Sequence, residues 1–97
     1  MDLAPGALGP GQAIRVLVAT QAVQVCDILE ARSDVKYDLV LFPGVISELL
    51  GQVDLVIIDY EDVGGTKEDK ARLEEQIYAG RQAGRLDEFG SEEFLAN

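Results

Sequence analysis

DLVIID, Asp54 to Asp59, is the stretch on which the fold turns. Leu55 to Ile58 run unbroken between two aspartates, and three of these four residues are β-branched. That is the pattern of a strand buried on both faces of a parallel sheet. Upstream, VKYDLVLF (Val35 to Phe42) reads as another strand, closed by Pro43-Gly44. Val45 to Leu50 supplies one to two helical turns that Gly51 can end. Strand, short helix and strand follow in turn, and the crossover between the two strands is about a dozen residues, the length a parallel connection requires.

Further back, IRVLVAT (Ile14 to Thr20) is a third apolar, β-branched run. From Gln21 to Arg32 the period changes to that of an amphipathic helix, with Ala22, Val25, Cys26 and Leu29 on one side. Thr20 stands where a helix N-cap belongs, and Cys26 reads as a buried core thiol. After the acidic loop Tyr60 to Gly65, Thr66 with Asp69 three positions on forms a capping box for a helix from Lys67 to Arg81 or Arg85. Its apolar face is Leu73, Ile77 and Tyr78 with Ala71.

The alternation β-α-β-α-β-α specifies an α/β fold: a small three-layer parallel sheet of about three strands, order 2-1-3, with helices on both faces. Residues 13–85 form the single domain. Residues 1–12, rich in proline and glycine, read as a flexible arm without the pattern of a targeting signal. Residues 86–97 read as an acidic tail carrying Phe89, Phe94 and Leu95, which either folds back over the chain's own sheet in the place of missing strands or docks on a partner. Both outer strands of such a sheet are open edges unless something covers them.

Composition narrows the chemistry. The chain has 97 residues, 18 acidic against 8 basic, for a formal charge of −10. Nucleic acid and anionic membranes, both negative, are thereby argued against as partners. With no histidine and one cysteine, histidine acid–base chemistry, Ser-His or Cys-His pairs, structural zinc and an internal disulfide are excluded. The lone cysteine fits a cytoplasmic setting.

Ligands of doubly wound folds bind beyond the carboxyl ends of the strands. Here that rim comprises Thr20 and Gln21, Pro43 and Gly44, and Asp59 to Asp62. Asp59, Glu61 and Asp62 offer hard oxygen ligands for Mg²⁺ or another divalent cation. Read instead as residues that leave a buried strand for solvent and cap the next helix, they need no ligand. Pro43-Gly44 is ordinary turn chemistry, and Gly64-Gly65-Thr66-Lys67 lacks the spacing of a phosphate loop.

VDLVIIDYEDVGG (Val53 to Gly65), preceded by a β-α-β-α series, resembles the phospho-acceptor region of response-regulator receiver domains, which are flavodoxin-like. The resemblance covers about Ile14 to Gly65 and maps only Asp59 onto the acceptor position. It implies a shortened, degenerate receiver-like domain. Ala19, Thr20 and Gln21 stand where receivers carry an acidic pair, and no strand follows Gly65 to bring the phosphoryl-reading hydroxyl and lysine. YDLVLFPG is also similar to strands of amidotransferase-like folds.

The expectation is a non-enzymatic protein-interaction or regulatory module with no cofactor. It would bind a protein partner or itself through a sheet edge, the last helix or the tail. The residues assigned to that contact are Leu73, Ile77, Tyr78, Phe89, Phe94 and Leu95, since aromatic and apolar side chains concentrate at contact sites. Two alternatives stand beside it: a small signalling domain that binds a divalent cation and accepts a phosphoryl group at Asp59, and a structural subunit of a larger assembly.

Overall fold

β1 (Ile14–Ala19) is the strand around which the chain is organised in the computed structural model, which describes residues 13–96. The reading of residues 1–12 as an arm lies outside the described residues. Four of the six β1 residues are buried, and they alternate between two cores: Val16 and Val18 on one face, Leu17 and Ala19 on the other. β1 pairs in parallel with β2 (Val35–Leu39) on one side and with β3 (Leu55–Ile58) on the other. This is the expected 2-1-3 order.

The structure adds a fourth strand. Residues 87–96, read above as tail, supply β4 (Asp87–Phe89) and a short helix, Ser91–Ala96. β4 lies parallel to β3, with Leu55, Val56 and Ile57 opposite Asp87, Glu88 and Phe89, so the sheet order is β2-β1-β3-β4. The expected open edge of β3 is thereby covered. The new edge is short and begins with two carboxylates, both of which discourage edge-to-edge pairing.

Helices cover both faces. α1 (Val23–Glu30) places Val25 and Leu29 on the Val16 and Val18 side, with Ala22 and Cys26 partly buried beside them. α2 (Pro43–Leu49) and α3 (Lys67–Gln82) cover the other side through Ile46, Leu73 and Ile77. α2 starts two residues earlier than the apolar pattern suggested, because Pro43 at its first turn has its backbone angle set for a helix and no N–H to lose. A single turn of 3-10 helix, Leu50–Gln52, leads into β3.

α3 begins with both halves of the expected capping box: the Thr66 hydroxyl accepts from the Asp69 N–H, and the Asp69 carboxylate accepts from the Thr66 N–H. At the far end Gly80 is buried, and a Cβ there would come within 3.2 Å of the Leu86 side chain. The bare helix surface lets Leu86 close the core and deliver the chain to β4. The final helix, α4 (Ser91–Ala96), lies beside α1, and Phe94 packs on the core of Val16, Val18, Val25, Leu29 and Ile57. Among the described residues no helix is long and apolar enough to cross a membrane.

Candidate functional site

The carboxyl rim is built around Thr20, which ends the buried run of β1 and is 1% exposed. Thr20 is not the N-cap of α1, as its position suggested. That place is taken by Ala22, which makes no side-chain cap. The hydroxyl is engaged at long range instead. It lies 2.7 Å from Asp59 Oδ2 and 3.1 Å from Asp62 Oδ2, and it accepts the Ala22 N–H. Having one hydrogen, it donates chiefly to the nearer oxygen, that of Asp59.

Asp59 follows β3 directly and is half-buried. Oδ2 accepts from the hydroxyls of Thr20 and Ser91, and Oδ1 accepts the Ser91 N–H. Its burial works to raise the carboxyl pKa, but the Ser91 hydroxyl, the Thr20 hydroxyl and the Ser91 N–H outweigh this and hold it below the usual carboxylate value. Asp62 ends the 3-10 turn Tyr60–Asp62 and ties down the β1–α1 loop, its Oδ2 accepting the Gln21 N–H at 2.8 Å. Glu61, on the same turn, is exposed. The structure therefore brings Asp59 and Asp62 together on Thr20 and leaves Glu61 in solvent. Among the described residues no group of three or more carboxylate or cysteine side chains is placed to hold a metal ion.

A second polar chain braces the opposite side of β3. Tyr60 donates its phenol hydrogen to Glu88 Oε2 at 3.0 Å, and Glu88 Oε1 pairs with Arg81 at 3.1 Å. Burial, followed by the charge of Glu88, raises the Tyr60 pKa well above the usual tyrosine value.

The residues assigned to partner contact separate. Leu73 and Ile77 are each 1% exposed and belong to the core under α3. Phe89 and Phe94 are half-buried, Phe94 against the chain's own core. Tyr78 and Leu95 remain on the surface. The large apolar side chains left most open are Phe42 at 74%, Val23 at 68% and Tyr78 at 63%, followed by Leu39 at 54%. Leu39 pairs with Val18 at the carboxyl end of β1, while Val23 opens α1 and Phe42 precedes α2, so these three belong to the same rim.

The sequence pattern places Thr20 on the rim but not against Asp59, and leaves Ser91 within the acidic tail. In the structure Gly90 caps α4 with its carbonyl and gives its N–H to the Glu93 carboxylate, which frees the Ser91 hydroxyl for Asp59. The signal available in the sequence was the Gly-Ser-Glu-Glu run at residues 90–93, where a carboxylate three residues after the cap can reach back to it.

A concavity of about 970 Å³ lies around β2 and the amino end of β1, away from the rim, and mixes Arg15, Arg32 and Lys36 with Glu30, Asp38 and Asp54. No protein-family model, no curated protein and no solved structure matches this chain.

Proposed function

We propose that the chain is a non-enzymatic protein-interaction or regulatory module acting in the cytoplasm. Phe42 carries this reading. A phenylalanine three-quarters open to water, with Val23 and Leu39 on the same rim, is a feature that contact surfaces use and that a free-standing surface has no need of. The polar groups of the rim support it too, because their hydrogen bonds run to the chain's own Thr20, Gln21 and Ser91.

Receiver-like phosphoryl acceptance at Asp59 with Mg²⁺ is the weaker reading. Both carboxylate oxygens already accept hydrogen bonds, and an attacking oxygen would have to give them up. Service as a structural subunit of a larger assembly is a special case of the leading proposal.

The test uses the full chain as bait beside a Val23→Ser/Phe42→Ser variant, two exposed positions whose change leaves the core intact. A protein retained by the first and released by the second supports the proposal, and identical retention overturns it. In parallel, incubation with acetyl phosphate and Mg²⁺ is expected to leave the intact mass unchanged. A phosphoryl adduct abolished by Asp59→Asn puts the signalling reading first.

A further inference from the structure

We propose that the free edge of β2 pairs antiparallel with the β2 edge of a second copy, joining two sheets about a two-fold axis that passes beside Tyr37. This rests on the interaction-module reading and adds to the Phe42 rim a separate contact, made with a second copy of the chain.

Backbone direction comes first. Val40 donates its N–H to Val18, and Asp34 accepts from Ile14, so the even-numbered residues of this segment face β1. The N–H and C=O groups of Val35, Tyr37 and Leu39 therefore point away from the sheet. β2 pairs with no other strand among the described residues. In an antiparallel pair, residues that exchange both hydrogen bonds alternate with pairs that exchange none, whose side chains lie closer. Centring the two-fold axis on Tyr37 makes Tyr37 face Tyr37 and Val35 face Leu39 as hydrogen-bonded pairs. Lys36 of one copy then faces Asp38 of the other, twice, at the closer non-hydrogen-bonded positions.

Charge selects that register. Sliding the second copy by two residues one way sets Lys36 against Lys36, and the other way sets Asp38 against Asp38. Opposite charges directly across favour a pair and like charges oppose it. Lys36 and Asp38 are both exposed, on the face opposite α1, and so are available for this pairing. On the α1 face the same register lays Val35 over Leu39, which is otherwise 54% exposed at the end of a strand. A lone lysine on an edge would repel a second copy. Lysine and aspartate two residues apart make the edge complementary to itself.

Sedimentation of the full chain over a concentration series at low salt tests this. A monomer–dimer equilibrium is expected for the native sequence, weakening as salt rises. Lys36→Asp makes both edge positions acidic and Asp38→Lys makes both basic, so each variant alone is expected to dimerise about tenfold more weakly or worse. Mixing the two variants is expected to restore a heterodimer, and the exchanged double variant Lys36→Asp/Asp38→Lys a homodimer. Circular dichroism checks that every variant is folded. The Val23→Ser/Phe42→Ser chain keeps its edge and is expected to dimerise normally, which separates failure of this proposal from failure of the rim reading. A monomer at every soluble concentration assigns the edge to another chain or to solvent and overturns the proposal. So does a dimer indifferent to the charge variants, or variants whose mixture stays monomeric.

Discussion

Ser91 grips Asp59 with two donors, its N–H to Oδ1 at 3.3 Å and its hydroxyl to Oδ2, across 32 residues of chain. One side chain at the end of β3 thus holds the start of α4, while the same carboxylate takes the Thr20 hydroxyl at the end of β1. Asp59 serves as the joint of three segments.

Ser91→Ala and Asp59→Asn are each expected to lower stability by about 1.5–3 kcal/mol, the range for hydrogen bonds to a charged group. Because they remove one shared interaction, the double variant should cost less than the sum. Urea unfolding of the four chains measures the coupling. A coupling below about 0.5 kcal/mol would show that the two residues act separately.

Acid should release the same joint. The folded-state pKa of Asp59 is depressed, so its contribution is fully present above the unfolded value of about 3.9 and is lost as pH falls through the folded value. Between neutral pH and about pH 2 the Asp59→Asn chain is therefore expected to lose less stability than the native chain. Melting temperature against pH is the measurement, and parallel curves would contradict it. The capping carboxylate of Asp69, lowered chiefly by the Thr66 N–H, responds in the same direction in both chains.

Removal of residues 87–97 should abolish cooperative unfolding. It uncovers the β3 edge, frees Tyr60 from Glu88 and strips Phe94 from the core. Phe94→Ala alone is expected to cost about 2 kcal/mol, less than a fully buried phenylalanine. A truncated chain that still melts sharply at an unchanged temperature would show that β4 and α4 are accessories.

Gly65→Ala should destabilise by about 2 kcal/mol or more. Gly65 has φ of 90°, and a Cβ there would stand 2.8 Å from Pro43 and 2.9 Å from the capping Asp69. Backbone strain and collision act together, and the displaced carboxylate is half of the α3 cap. Thermal melting of Gly65→Ala beside Thr66→Ala, for which the lost cap alone costs about 1 kcal/mol, separates the two effects. A Gly65→Ala loss no larger than that of Thr66→Ala would refute the steric account.

What was legible in the sequence was whatever repeats locally. The apolar runs of β1 and β3, the helical period of α1, and the Thr66–Asp69 pair each sit within a few residues, and each specifies its element. β4 was hidden because three residues, two of them acidic, have no strand pattern. The segment becomes a strand because Asp87 can donate its N–H to Asp54 and the β3 edge stands open beside it. Thr20 was misassigned for the same reason: a local cap lost to carboxylates about forty residues away. Leu73 and Ile77, assigned from the sequence to partner contact, are instead core residues, since α3 covers the sheet together with α2.

The backbone direction of β2 also fixes how its amides trade hydrogen with solvent. The N–H groups of Lys36, Asp38 and Val40 are locked to β1, while those of Val35, Tyr37 and Leu39 face outward. Along a single strand, then, slow and fast isotope exchange should alternate residue by residue, a pattern that ordinary fraying from one end cannot produce. An occupied edge would erase the alternation and leave the rest of the exchange map in place. Deuterium uptake resolved to single amides thus reports whether anything lies along this strand without the partner having to be seen.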